Sequence, residues 1–373
     1  MKNTYDRKDA CFICVSPYQV IGAISIVSGR KLRADLYLSG TFPGYDTIAE
    51  RLRKYPLFEN VYAIDLASLG LLGKMRAVRE TILAGDTVRR IVPADVSYGA
   101  CYLTSRASLK SAILKVLLER NPEMTRVFFE DGLGTYSERA NLLFVTKKRK
   151  RLEKFLGWHN DDPDRTVIMA NLPELVQYPA PYDHRPVEQM PRLTLDEENR
   201  KMLEDVFSVP ADGAIGEKYI IFDTKRHAPN FLTPEEMELI DDCYDVTMRC
   251  AGRENTILKP HPRSTEESRC DIRVYKNGGL PMEVLYASMA GLEKRVLVAY
   301  VSSAVFTPKI LFDAESYVVC LHRIVRNKIV SGNFESIYEK FRNTYRHPER
   351  VSAPESLEEL EKILRNFREA ENE

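Results

Sequence analysis

The chain has 373 residues, with 54 Lys+Arg against 54 Asp+Glu, 44% hydrophobic and 29% charged residues. That composition is globular rather than disordered, and the length suits two domains of ~100–200 residues each. A formal net charge of zero argues against a dedicated nucleic-acid binder, whose domain is usually basic. The chain starts with polar MKNTYDRKD, and the apolar run that follows, Ala10 to Val15, ends at Ser16-Pro17. A signal peptide needs a longer apolar core and a membrane span about 20 apolar residues, so a cytoplasmic protein is expected.

Short apolar runs alternate with amphipathic stretches, which predicts an α/β protein with parallel sheets. In the first half the expected strands are Cys11–Val15, Asp35–Leu38, Val61–Ile64, Ala100–Leu103, Val127–Phe129 and Val167–Met169. A helix is expected over Arg106–Glu119, where Leu109, Ile113, Val116 and Leu117 recur at helical spacing. The stretch from Pro173 to Pro191 contains five prolines, its two ends included. Proline removes backbone donors, so this stretch reads as a connector without strand or helix. In the second half strands are expected at Tyr219–Phe222, Thr256–Leu258, Arg273–Tyr275, Val296–Val301 and Tyr317–Leu321, with helices at Glu235–Met248 and Met282–Met289. A last amphipathic helix, Leu357–Phe367 after Pro354, is expected to pack back on the first domain. The division is thus residues 1–180, a linker 181–195, a second domain 196–350 and a terminal helical segment 351–373.

The seven cysteines (11, 14, 101, 243, 250, 270 and 320) are odd in number and scattered, which disfavours a disulfide framework. Cys11 and Cys14 fall three apart on one strand and so point to opposite faces, as core residues rather than metal ligands.

In open parallel sheets ligands bind beyond the carboxyl ends of the strands, and three segments place chemistry there. Val127–Phe129 runs into Glu130-Asp131-Gly132: a carboxylate at that point can act as general base, worth ~10²–10⁴ in rate, and the glycine permits a sharp turn. Thr256–Leu258 runs into Lys259-Pro260-His261-Pro262-Arg263. The two prolines fix the histidine, and the three cationic groups suit a phosphate. Val296–Val301 runs into Ser302-Ser303, hydroxyls at a helix start that serve equally as caps or phosphate ligands. Facing domains would bring base and phosphate ligands to one cleft, as transfer from a nucleotide-activated donor requires. Asp223, also after a strand, is a reserve base.

Other features read as structure. Asp162-Pro163-Asp164 matches a metal-binding DxD pattern but follows Trp158-His159-Asn160 rather than a strand, and so reads as a solvated loop. His159, His184, His322 and His347 share no ligand spacing, so no metal is expected. The basic run Lys147–Arg151 reads as an exposed helix start, or as a patch steering an anionic membrane-bound acceptor. Neither G-x-G-x-x-G nor a Walker lysine loop occurs.

The ordered set Glu130-Asp131-Gly132, His261-Pro262 and Ser302-Ser303 resembles the bacterial sialyltransferases, especially glycosyltransferase family 52, the lipooligosaccharide sialyltransferases, and the related polysialyltransferases. Val15-Ser16-Pro17-Tyr18-Gln19 is similar to that family's opening, and Pro281-Met282-Glu283 to the stretch before its nucleotide-contacting helix. The resemblance implies a GT-B fold of two Rossmann-like domains, with acceptor on the first and CMP-sugar on the second. It implies metal-independent, inverting transfer of sialic acid from CMP-sialic acid to a galactose-type hydroxyl of a lipooligosaccharide or capsule glycan, with no cofactor. Carried over, Asp131 is the base, with Asp223 the other candidate. His261 contacts or protonates the departing phosphate, Ser302 and Ser303 hold it, and Glu283 meets the ribose. Ser16, Pro17, Gln19, Glu130, Gly132, Lys259, Pro262 and Arg263 complete the expected binding residues. The alternatives are a different sugar nucleotide, a capsule polymerase, a nucleotide-sugar epimerase on the same scaffold or a silent nucleotide-sugar binder. Peripheral contact with the inner membrane surface and a homodimer stand open as associations.

Overall fold

A computed structural model describes residues 6–65, 88–89, 91–104, 108–136, 162–177, 185–211, 213–223, 232–261, 271–327 and 330–369. The chain divides into two compact units, Met1–Thr194 and Leu195–Glu373.

The first unit is a seven-stranded sheet, in which β1 (Asp6–Cys14), β2 (Ala34–Ser39), β3 (Asn60–Ile64), β4 (Val96–Leu103), β5 (Thr125–Phe129), β6 (Thr166–Ala170) and β7 (Val187–Gln189) lie in the order β3-β2-β1-β4-β5-β6-β7. Every pairing is parallel. The order turns back on itself at β1 and β4, which makes their carboxyl ends the switch point where such sheets bind ligands. Helices α1 (Pro17–Arg30), α2 (Tyr45–Leu52) and α3 (Ser108–Arg120) belong to this unit. All of β2 is buried, as expected for a parallel strand covered on both faces. Cys11, Ile13, Leu103, Ile113, Leu117, Phe128 and Ile168 form much of its core. Cys11 and Cys14 are buried free thiols.

The proline-rich connector needs a correction. Val187–Gln189, between Pro186 and Pro191, pairs with β6 as an edge strand. Proline is excluded from central strands but tolerated beside an edge, and a three-residue strand fits within the four residues between the two rings.

The second unit has a five-stranded parallel sheet, in which β8 (Tyr219–Asp223), β9 (Thr256–Pro260), β10 (Val296–Ala299), β11 (Tyr317–Cys320) and β12 (Val351–Ser352) take the order β12-β11-β10-β8-β9. Its reversal falls at β8 and β10. The helices are α4 (Glu197–Val206), α5 (Pro234–Ala251), α6 (Met282–Ser288), α7 (Thr307–Phe312), α8 (His322–Val325), α9 (Val330–Arg342) and α10 (Leu357–Glu369). Thr233 and Glu236 close a capping box at the start of α5, and Gly252 ends the helix at φ 87°.

Two expectations fail here. Arg273–Tyr275 makes one isolated bridge, Val274 to Leu258, rather than a strand. Val274 is exposed, and Asn277-Gly278-Gly279 follows too closely for the pairing to extend. The terminal helix α10 packs on α5 of its own unit. Leu360 and Leu364 are fully buried with Ile240, Cys243 and Tyr244 of α5, because their stripe completes the second unit's own core.

Candidate active site

In the first unit Ser16 is the N-cap of α1, its Oγ accepting from Gln19 N at 3.4 Å, and Pro17 opens the helix with its φ already set. This start places Gln19 under the carboxyl edge of the sheet. Gln19 is buried, and its Oε1 accepts from Val15 N at 2.8 Å and from Lys110 Nζ at 3.4 Å. Its Nε2 donates to Asp131 Oδ1 at 2.8 Å. Lys110 also donates to Thr104 Oγ1, at 2.6 Å, just past β4.

Asp131 and its neighbour Glu130 differ sharply. Asp131 is exposed, its N–H donating to Thr135 Oγ1 at 3.0 Å, and Gly132 turns the chain at φ 72°. Glu130 is 0% exposed. It accepts from the Tyr18 and Tyr136 hydroxyls and, at 2.8 Å, from Asn171 N. Burial pushes its pKa up, with those three donors opposing the shift. This geometry makes Glu130 a strut that ties α1, β5 and the end of β6 together and so aims Asp131 outward. A role in direct substrate contact does not match its burial.

In the second unit the ends of β8, β9 and β10 line one pocket with Phe222, Asp223, Lys259, Pro260, His261, Met282, Ser302 and Ala304. It lies over the switch point, where the two innermost strands diverge. Asp223, the last residue of β8, is 2% exposed. Lys259 donates to Gly278 O at 2.6 Å and to Pro260 O at 3.3 Å, with the Tyr275 ring 5.7 Å away. Burial lowers its pKa to about 8, against the pull of Glu283. Glu283, in the first turn of α6, is pushed up by burial, its own backbone N–H and Lys259 opposing. Ser302 caps the turn that leads into α7, accepting from Ala304 N at 3.3 Å. The Tyr286 hydroxyl of α6 donates to Ala304 O at 2.9 Å and holds that turn in place.

The structure therefore gathers Ser16, Pro17, Gln19, Glu130, Asp131 and Gly132 in the first unit. In the second it gathers Asp223, Lys259, His261 and Ser302 around one pocket. Ser303 is exposed beside it, and Glu283 is coupled to it through Lys259. Pro262, Arg263 and the basic run 147–151 lie outside the described residues. Sequence reasoning missed Lys110, Thr104, Tyr136 and Asn171. Lys110 carried a signal: it stands three, four and seven residues before Ile113, Leu114 and Leu117, a core position for a charged side chain. Asp162 caps a short turn and pairs with Arg126 at 3.6 Å, as befits a loop. No described helix is long and apolar enough to cross a membrane.

Two Rossmann-like α/β units, each with polar groups at the switch point of its sheet, are the make-up of the GT-B class. Among solved structures the chain is similar to the calicheamicin glycosyltransferase CalG4 (TM-score 0.46, 11% identity, 98% of this chain and 97% of that one). It is also similar to Methanocaldococcus jannaschii UDP-GlcNAc 2-epimerase in complex with UDP-GlcNAc and UDP (0.45, 12%, 97% and 99%) and to Phytolacca americana apo UGT2 (0.40, 11%, 98% and 100%). No curated protein gives a significant match. The family model for alpha-2,8-polysialyltransferase matches residues 86–321. The chain belongs to that family and is a glycosyltransferase of the sialyltransferase type.

Proposed function

We propose that the protein transfers sialic acid from CMP-sialic acid to a glycan hydroxyl, with inversion at the anomeric carbon and without a metal or other cofactor. The observation that carries this reading is the second unit's pocket, where Lys259, His261 and Ser302 converge at the switch point of the sheet. Those groups suit the phosphate of a leaving nucleotide. Sialic acid departs as an oxocarbenium-like centre that already bears a carboxylate. Catalysis must then neutralise charge on CMP and take a proton from the acceptor. His261, Ser302 and Ser303 serve the leaving phosphate, Lys259 and Arg263 add positive charge, and Glu283 meets the ribose.

Asp131, exposed at the carboxyl end of β5, takes the acceptor proton. As that proton leaves, the acceptor oxygen bonds to the anomeric carbon and the bond from that carbon to the phosphate oxygen breaks. The family's name favours the 8-hydroxyl of a terminal sialic acid as acceptor. A galactose-type hydroxyl of a surface lipooligosaccharide or capsule glycan is the second reading, carried by the motif resemblance to family 52. Both place the reaction in the cytoplasm, at the inner membrane surface.

Turnover with sialyl-terminated and galactosyl-terminated acceptors, alongside calorimetry with CMP, UDP and GDP, tests this. Binding of UDP but not CMP sinks the donor assignment. Asp131→Asn is expected to lower turnover by roughly 10²-fold or more with CMP binding intact. If Asp131→Asn is active and Asp223→Asn is not, the base is Asp223.

A further inference from the structure

The carboxyl edge of the first sheet contains a lysine for which the proposed reaction has no use. Lys110 is 2% exposed in α3, and among the described residues none of its hydrogen-bond partners is a carboxylate. An ammonium group kept from water in this way carries a heavy desolvation cost. Burial lowers its pKa accordingly, with Asp131 the foremost opposing charge.

Lys110 is one of two donors that set which way round the Gln19 amide sits. Oε1 of Gln19 accepts two hydrogen bonds, from Val15 N at 2.8 Å and from Lys110 Nζ at 3.4 Å. Its Nε2 is thereby turned to Asp131 Oδ1, 2.8 Å away. With the amide reversed, the NH₂ group would face two donors and the amide oxygen would face a carboxylate oxygen. Both contacts would be repulsive. Thr104 Oγ1, itself buried, anchors the lysine at 2.6 Å.

We propose that Lys110 is a positioning residue for the general base: through Gln19 it fixes an N–H donor against one oxygen of Asp131 and leaves the other for the acceptor hydroxyl. This rests on the reading of Asp131 as the base. Oδ2 of Asp131 makes no hydrogen bond among the described residues, whereas Oδ1 is held by Gln19. A carboxylate pinned through one oxygen keeps its orientation without losing its capacity to accept a proton at the other.

A double-mutant cycle on kcat separates this role from a purely structural one. Lys110→Met keeps the length of the side chain and removes the donor. It is expected to lower kcat about tenfold or more, a modest share of what losing a positioned hydrogen bond at a reacting centre costs. The donor KM should stay within about twofold, because the donor groups belong to the other unit. Gln19→Met should lower kcat by at least as much. The double variant should match Gln19→Met alone to within about twofold, because the effect of Lys110 is routed through that amide; a direct effect of its charge on Asp131 would make the losses multiply. If Lys110→Met does not fold at the assay temperature, Thr104→Val replaces it with the same expectation, because it unseats the ammonium group.

Unchanged kcat in the Lys110 variant, or losses that multiply in the double variant, overturn the proposal while Asp131→Asn still confirms the base. Wild-type turnover in Asp131→Asn overturns the base assignment first and the positioning role with it.

Discussion

At the carboxyl end of the first sheet the acidic pair is held by two local groups, Thr135 and Tyr136, and by groups from remote parts of the chain. Tyr18 and Gln19 are each 112 residues from the acid they bond, and Asn171 is 41 residues from Glu130. At the carboxyl end of the second sheet, Lys259, Pro260 and His261 are consecutive, and Lys259 is fixed by the carbonyls of Pro260 and Gly278. The acids of the first site are held by a network that reaches across the chain, whereas the cationic groups of the second stand together on one strand end, within a pocket that β8 and β10 complete. The contrast extends to their buried acids. Among the described residues Glu130 is satisfied by neutral donors alone, whereas Glu315 of the second unit meets Lys309 Nζ at 2.7 Å and the Arg346 guanidinium at 3.2 Å. A network of neutral donors holds a carboxylate in place without favouring its charge strongly, and an ion pair does both.

The largest effect that tests this contrast is expected at Glu130. Glu130→Ala leaves two phenol hydroxyls and a backbone N–H without their acceptor, a cost of roughly 3 kcal/mol or more read by urea denaturation. Glu130→Gln keeps an acceptor and should cost less. The pH dependence then carries a sign. Burial raises the Glu130 pKa from 4.5 despite its hydrogen bonds, so the folded protein holds this proton more tightly than the unfolded chain. Its contribution is complete below about 4.5 and declines as pH rises through the raised value. The stability of wild type relative to Glu130→Gln should therefore fall as pH climbs above about 4.5.

Glu315 should show the opposite slope. Burial pushes it up, but hydrogen bonds from Lys309 and from the Arg346 backbone and side chain outweigh burial and bring its pKa from 4.5 down to about 2. Its contribution is complete above 4.5 and is lost as pH falls towards 2. Wild type should lose denaturation midpoint across that interval, and Glu315→Gln should lack that component. Equal slopes for the two acids would break the distinction between neutral and ionic burial.

The same contrast explains what could be read from the sequence. Parallel strands buried on both faces leave short apolar runs, so β1, β2, β5, β8 and β10 were legible at nearly their full core length. His261 and Ser302 were legible because a strand end, a turn and a polar group follow one another within a few residues. Asn171 was not, because the pairing of β5 with β6 brings it to Glu130, and that order is a property of the whole sheet. Tyr136 and Thr104 lie only six residues from their partners, but a hydroxyl at that distance in a turn carries no signal of its own. Edge strand β7 escaped because prolines flank it. Lys110 escaped because a lysine within a helical pattern is ordinarily assigned to the solvent face, and only the packing of α3 shows otherwise. The destination of α10 was misjudged because an amphipathic stripe indicates that a helix packs without indicating on what.

The smallest effect concerns the local site and tests whether Lys259 supplies charge or only shape. Its ammonium group is committed to the carbonyls of Gly278 and Pro260, which fix the loop beside the pocket. Burial lowers its pKa to about 8, so the folded protein sheds this charge as pH rises through that value. If the charge helps to hold the phosphate, CMP affinity should fall by about two- to fivefold between roughly pH 7 and 9, as expected when one partly screened cation is lost. Lys259→Gln should bind CMP more weakly at pH 7 and show no such step. Calorimetry at the two pH values reads both outcomes. A step that survives in Lys259→Gln assigns it to another group and leaves Lys259 a brace for the Gly278 loop. The second site would then resemble the first, with a buried charge serving position rather than contact.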